Sequence, residues 1–226
     1  MKIRFSYEYS FMSQKIIMNL LIHPTYFPSI AHFIAISKSQ TILFEAADNF
    51  QKQTYRNRMF IYGANGKLLL NIPTKHDKAS NKISYHNIQI ENIEDWQKQH
   101  WKSIVSAYKS SPFFEYYEDD FKEIFFSPQT SLYQLNISIF KIVCECIELD
   151  LKVEFTTSYD KEVNTKNCID LRTLVNSKKE NIPLFENYTQ VFCDKYGYLN
   201  NLSILDLLFN EGPNTLNYLE SQKVFW

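Results

Sequence analysis

Glycine is scarce in this chain, with four among 226 residues where globular proteins usually carry about 7%. Gly63, Gly66, Gly197 and Gly212 cannot compose a Gly-x-Gly-x-x-Gly run or a P-loop. A nucleotide cradled by a glycine-rich loop is therefore disfavoured, while other phosphate-binding modes stay open. Cysteine is also sparse. Cys144, Cys146, Cys168 and Cys193 form no Cys-x-x-Cys pair and have no ligand histidines nearby, which argues against zinc. Cys144 and Cys146 stand two apart in a helical pattern and face away from each other, so reduced cytoplasmic thiols are the expectation. His76 and His86 flank a polar stretch without metal-ligand spacing, and no metal or cofactor is assigned. No apolar run approaches the ~20 residues of a membrane span, and Arg4 and Glu8 sit where an export signal needs its apolar region. Charge of one sign is missing too: 24 Lys and Arg oppose 25 Asp and Glu, for a net charge of −1. That balance gives no electrostatic ground for nucleic acid or an anionic membrane as partner.

What is present is apolar and aromatic. Hydrophobic residues make up 45% of the chain and aromatics 16%, enough for one sizeable core. Lys15 to His23 reads as a buried strand, Ser29 to Ser37 as a short helix behind Pro28, and Thr41 to Ala46 as a second strand. Strand, helix, strand predicts a βαβ unit with parallel strands. Ligands of such sheets sit at the carboxyl ends of the strands, where the 23–28 loop and the 45–53 segment both leave. Further on, His86 to Ile90 reads as a strand. Asp95 to Tyr108, Pro112 to Phe126 and Ser131 to Leu149 read as helices, Lys152 to Thr156 and Tyr188 to Cys193 as strands, and two helices close the chain. Residues 157–187 are polar and without clear period, apart from Ile169 to Val175. The expected fold is α/β: a mixed sheet with an N-terminal βαβ unit and a β-hairpin, packed by helices, in one domain over residues 15–226. Residues 1–14 read as an extension.

The hairpin is the sharpest local signal. Gln51 to Pro73 reads as two strands around Gly63-Ala64-Asn65-Gly66, and Asn-Gly between apolar runs predicts a type I′ turn with positive φ at both central residues. Alternation places Met59, Ile61, Leu68, Leu70 and Ile72 on one face and Arg56, Arg58, Phe60, Tyr62, Leu69 and Asn71 on the other. Two guanidiniums beside aromatic rings form a candidate anion site, because Arg presents planar donors to phosphate or carboxylate.

Several segments together carry a family resemblance: His23-Pro-Thr-Tyr-Phe-Pro-Ser-Ile, Gln51-Lys-Gln-Thr-Tyr-Arg-Asn-Arg, Gln99-His-Trp-Lys, Ala107-Tyr-Lys-Ser-Ser-Pro-Phe-Phe-Glu-Tyr-Tyr and Asn201-Leu-Ser-Ile-Leu-Asp-Leu-Leu-Phe-Asn-Glu-Gly-Pro. In their order and spacing the chain resembles the bacterial WbqC-like protein family. The resemblance implies a cytoplasmic transferase of O-antigen or other surface-polysaccharide precursor synthesis, moving an amino-acid or acyl group onto an amino sugar. His23 stands where many relatives carry Gln.

The candidate site follows. His23, at a strand end before a proline-fixed loop, is the first choice of general base. Arg56, Arg58 and Lys52 would neutralise a small anionic ligand, a nucleotide-sugar or an activated acyl donor. Tyr26 or Tyr55 would stack on it, Gln53 accompanies the motif, and Glu45 would pair with Arg56 or Arg58 or hold the substrate's amino group. Asn57, on the apolar side, is expected to fix backbone. His100, Ser203, Asp206 and Asn210 are supporting candidates. His100 also reads as a core histidine within the Trp96–Ile104–Tyr108 stripe, and Ser203 with Asp206 as a capping box. The rival reading is a non-catalytic binding or scaffold protein, a homodimer that uses the dense aromatics Phe113, Phe114, Tyr116 and Tyr117.

Overall fold

The structure, a computed structural model, describes residues 19–75, 83–163, 168–178, 182–223 and 226. The expected extension, residues 15–18 of the first strand, and His76 lie outside the described residues. In chain order the elements are β1 (Asn19–Ile22), α1 (Ile30–Ser37), β2 (Thr41–Phe44), β3 (Arg58–Gly63), β4 (Gly66–Asn71), α2 (Trp96–Tyr108), α3 (Phe114–Phe126), α4 (Leu132–Cys146), β5 (Lys152–Phe155), β6 (Cys168–Asp170), α5 (Cys193–Tyr196), α6 (Ile204–Glu211) and α7 (Thr215–Ser221). Three 3-10 turns accompany them, at Tyr85–Asn87, Arg172–Val175 and Gly212–Asn214.

The protein is α/β, and the N-terminal βαβ unit forms as its pattern indicates. β1 pairs in parallel with β2, Asn19 opposite Thr41. β2 pairs in parallel with β5 and β1 with β6, giving a four-stranded parallel sheet in the order β5-β2-β1-β6. Burial along β2 alternates: Ile42 and Phe44 are buried, Thr41 and Leu43 half-buried. One face of the sheet therefore points into the core. There the Phe44 ring meets Phe140 of α4 edge-on at 4.9 Å, and Phe33 of α1 stacks on the same ring at 6.2 Å. All eight residues of α1 are buried, which suits a crossover helix covered by α6 and α7 on its far side.

The hairpin stands apart from this sheet as its own two-stranded ribbon, Arg58 opposite Asn71 and Gly63 opposite Gly66. Its faces are those expected from alternation: Met59, Ile61 and Leu70 are buried together, with Leu68 at the rim. The turn differs. Only Gly66 has positive φ, +99°, and neither Ala64 nor Asn65 does, so the bend is not type I′. A left-handed glycine following the bend supplies the reversal instead.

Other expectations are corrected. Residues 85–87 form a 3-10 turn, and Gln89 and Ile90 make only isolated bridges, where a strand was expected. Residues 188–192 form no strand, because Gln190 spends its side chain on the Leu199 backbone and the segment is held by side chains. Conversely, β6 forms at the start of the 169–175 run, for which no strand was expected.

The helical ends show how two sequence motifs meet. α1 has no side-chain cap. Its leading N–H groups are taken by the Leu202 carbonyl and by Asn201 Oδ1, while the Ile204 N–H donates to the Pro28 carbonyl. The starts of α1 and α6 thus satisfy each other's orphan donors. Ser203 caps α6, its Oγ accepting from the Leu205 N–H at 3.3 Å. The capping box is not completed, because the Asp206 side chain turns away to other partners. Gly212 ends α6 at φ +54°, and a Cβ there would lie 2.5 Å from the Phe113 ring.

The aromatic face expected on α3 is mostly interior. Phe114 and Tyr117 are buried, and Tyr116 is exposed. The apolar positions of α3 are spent on α2, α4 and α6, which leaves Tyr116 and the half-buried Phe113 as the accessible part of the expected aromatic face.

Candidate functional site

Because the four strands run parallel, their carboxyl ends share one edge, and each delivers a polar group there. β1 leads into His23, β2 into Glu45, β5 into Thr156, and β6 ends at Asp170, two residues before Arg172. His23, Glu45 and Arg172 are all buried.

Two linked ionic groups form from these residues. In the first, Arg56 Nη2 donates to Asp48 Oδ2 at 2.6 Å and lies 2.6 Å from His23 Nε2, which is itself 3.0 Å from the same carboxylate oxygen. A bare Nε2 accepts from Arg56, whereas a protonated one donates to Asp48, so one tautomer serves only one partner. Burial lowers the His23 pKa, and Arg56 adds to that against the pull of Asp48, so the imidazole is neutral. Burial raises the Asp48 pKa, but the hydrogen bond to His23 and the charge of Arg56 outweigh it and hold the carboxyl below its usual value. In the second group, Glu45 Oε2 accepts from Arg172 Nη1 at 3.1 Å, and Arg172 also donates to Asp170 from Nε and Nη2. Those bonds to Asp170 raise the Arg172 pKa further. Glu45 Oε1 accepts from the Ala47 and Asp48 N–H groups and from Thr156 Oγ1. It thereby pins the turn after β2 that presents Asp48 to Arg56.

The cluster is not fully satisfied. Arg56 is 0% exposed, yet its Nε and Nη1 have no hydrogen-bond partner among the described residues, nor do His23 Nδ1 and Thr25 Oγ1. Orphaned buried polar atoms cost roughly 1–3 kcal/mol each and concentrate where ligand or water binds. Tyr85 closes the floor: its ring lies 5.3 Å from the Arg56 guanidinium, its hydroxyl donates to the Pro24 carbonyl, and Asn136 Nδ2 donates to both Tyr85 Oη and the Arg56 carbonyl.

Beside the cluster, a pocket of about 550 Å³ opens between the ends of β2 and β5, the Tyr85–Asn87 turn and α4. Ala46, Ala47 and Thr156 belong to its wall, so the turn pinned by Glu45 is shared by pocket and cluster. Tyr133, also in the wall, packs edge-on against Tyr85 at 5.3 Å.

The structure brings His23, Glu45 and Arg56 together and separates the other expected residues from them. Arg58 is the first residue of β3, half-buried, and donates to Asn71 Oδ1 at 3.3 Å. Arg56 precedes the strand and turns inward, so the two guanidiniums do not share a partner. Glu45 pairs with Arg172 rather than with either hairpin arginine. Tyr26 and Tyr55 are buried in packing and offer no face for stacking: Tyr26 bonds to His100 Nδ1 at 2.8 Å, and Tyr55 packs on His32 and Phe60. Lys52 and Gln53 are exposed, Gln53 at φ +63°. Asn57 does fix backbone, donating to the Ile72 carbonyl. Ser203, Asp206 and Asn210 belong to a second buried cluster on α6. There Asp206 accepts from Tyr108, Tyr188 and Gln190, and Asn210 Nδ2 donates to the Asp206 carbonyl. Asp48, Thr156, Asp170 and Arg172 were not singled out from sequence. The available signal was their place, each within four residues of a strand's end.

The architecture defines a class: an α/β protein with a parallel sheet and a charged, under-satisfied cluster at its carboxyl edge. Within that class the chain belongs to the WbqC-like protein family, whose sequence model matches residues 23–181. No curated protein and no solved structure matches it. No helix among the described residues is long and apolar enough to cross a membrane.

Proposed function

We propose that this chain is a cytoplasmic transferase of bacterial surface-polysaccharide precursor synthesis, transferring an amino-acid or acyl group from an activated donor to the amine of an amino sugar. Family membership supports the reaction class. The observation that carries the site is the set of unpartnered buried atoms, Arg56 Nε and Nη1 and His23 Nδ1, beside a pocket at the carboxyl edge of a parallel sheet.

In the proposed step the sugar amine attacks the activated acyl carbon. The C–N bond forms, the bond to the leaving group breaks, and the amine proton must go to a base. In the tautomer whose Nε2–H donates to Asp48, a neutral His23 has a bare, unpaired Nδ1 that suits that proton. The guanidinium donors of Arg56 suit the oxyanion that develops on the acyl oxygen, where preorganised donors act most strongly in a water-poor site. Asp48 holds Arg56, and Glu45 holds the turn carrying Asp48. Arg56 is fully buried, so substrate contact with it requires a rearrangement of the groups that cover it.

The test is a mass-spectrometric transfer assay with nucleotide-linked amino sugars and activated acyl and aminoacyl donors. Wild type is expected to form the amide, and His23→Gln to lose about 10²–10⁴-fold in rate while keeping its fold by circular dichroism. Absence of product with every pair, or undiminished transfer by His23→Gln, sinks the assignment.

A further inference from the structure

The pocket beside the ionic cluster has a charge pattern of its own. Among the described residues, Lys141 of α4 is the one formally charged side chain in its wall, and no Asp or Glu lines it. That is unusual for a protein with one more acid than base. Each of the three other pockets described has at least two carboxylates in its wall: Asp120, Glu145 and Glu148 in one, Glu145, Glu148 and Asp150 in the next, Glu94 and Asp95 in the last. Behind the wall, Glu45 pairs with Arg172 and accepts from the Thr156 hydroxyl.

Neutral hydrogen-bonding groups surround that cation. Asn87 and Thr157 line the pocket. So does Tyr133, whose hydroxyl is buried without a partner among the described residues. Lys141 is exposed, stands between this pocket and the neighbouring one that carries Glu145 and Glu148, and has no ion-pair partner among the described residues. The opposite character is supplied by Ile137 and by Phe155, a residue 47% exposed at the end of β5. At about 550 Å³ the space falls within the range of small-ligand and cofactor sites.

The geometry points to a phosphate-binding subsite: the pocket holds a phosphorylated small molecule, with its phosphate on Lys141 and the neutral donors and its flat or apolar portion against Phe155 and Ile137. A lone ammonium is a compact point charge, which suits phosphate without demanding the planar, two-pronged geometry of a carboxylate clamp. The assignment rests on reading the carboxyl edge as the substrate edge, and it deepens that reading by making the phosphorylated half of a substrate the part held here. The unpartnered atoms of the neighbouring cluster then lie on the reacting side, across the shared turn at residues 46–48.

Isothermal titration of the full chain with uridine 5′-diphosphate, inorganic pyrophosphate and benzoate tests the assignment. Both phosphates are expected to bind wild type more tightly than benzoate does, and affinity is expected to fall as salt rises. Lys141→Gln should weaken uridine diphosphate by tenfold or more, and Lys141→Arg by threefold or less. Tyr133→Phe keeps the ring in the core and should weaken binding by a few-fold. Equal binding of uridine diphosphate to Lys141→Gln and wild type overturns the phosphate subsite and leaves the transferase reading standing. Preference for benzoate, or no binding of either phosphate by folded wild type at millimolar concentration, overturns it as well. Lysine-dependent binding without any acyl transfer would instead retain the subsite and remove the transferase.

Discussion

Two buried clusters in this protein are each built around carboxylates, and they are finished differently. On α6, Asp206 accepts hydrogen bonds from Tyr108, Tyr188 and Gln190, all neutral donors, and its carboxylate oxygens are used. At the carboxyl edge of the sheet, Asp48, Glu45 and Asp170 are matched by Arg56 and Arg172, yet donor atoms remain unused. The first cluster ties α6 to α2 and to the irregular segment carrying Tyr188 and Gln190, and that accounts for every group in it. The second holds more charge than its ties require. Buried charge is costly even when paired, and an incomplete network costs more. The comparison separates a structural network from one with capacity left for a ligand.

The largest expected effect breaks the edge cluster. Arg56→Leu leaves Asp48 without its cation in a largely buried setting and should cost about 3–5 kcal/mol in urea denaturation. Arg56→Leu with Asp48→Leu removes both charges and should recover most of that loss. Failure of the double variant to recover would show that Arg56 acts through packing on Tyr85.

A smaller effect tests the α6 cluster. Asp206→Asn disturbs three donors and should cost about 1–3 kcal/mol at neutral pH. Its pH dependence has a definite sign. Burial, against three hydrogen bonds, pushes the Asp206 carboxyl from 3.8 up to about 6. The native state holds this proton more tightly than the unfolded chain does. The group therefore adds stability below pH about 4 that is lost as pH rises through about 6, on the order of 2–3 kcal/mol. The stability gap between wild type and Asp206→Asn, followed from pH 4 to 7, should be larger at pH 4 and narrow toward pH 7 accordingly. A flat difference would mean that the three donors keep Asp206 ionised throughout.

Ser203→Ala removes the α6 cap and should cost about 1 kcal/mol. The smallest effect belongs to Arg58, half-buried at the hairpin: Arg58→Ala should change stability by less than about 0.5 kcal/mol. A loss as large as that of Arg56→Leu would mean the two arginines act together after all.

Much of the fold was legible because periodicity is local. The βαβ unit, the hairpin faces, and α2 and α4 follow from apolar spacing within a dozen residues. β6 was not legible as a strand, since the 169–175 run is too short to fix a period and its first residues become a strand only by pairing with β1. The turn type was misjudged because Asn-Gly permits, without compelling, two left-handed residues. At the site, His23 and Glu45 were legible from their positions at strand ends. Arg56 was found for the wrong geometric reason: alternation was extended to it, but β3 begins at Arg58. The partners of Glu45 and Arg56 were out of reach, because Arg172 lies 127 residues from Glu45 and only the parallel sheet brings them to one edge. Tyr26 and Tyr55 misled in the other direction, as aromatics near a motif that the core consumed.

On the proposed reading, the carboxyl edge of the sheet is where this protein takes a ligand. A thermal-shift screen tests it most directly, run with nucleotide-sugars and acyl-coenzyme A donors on wild type, Asp206→Asn and the Arg56→Leu/Asp48→Leu variant. Ligand at 100–1,000 times its Kd should stabilise wild type by about 2–4 kcal/mol. This shift should persist in Asp206→Asn and disappear in the double variant. No shift in folded wild type with any ligand, or an equal shift in the double variant, would contradict it.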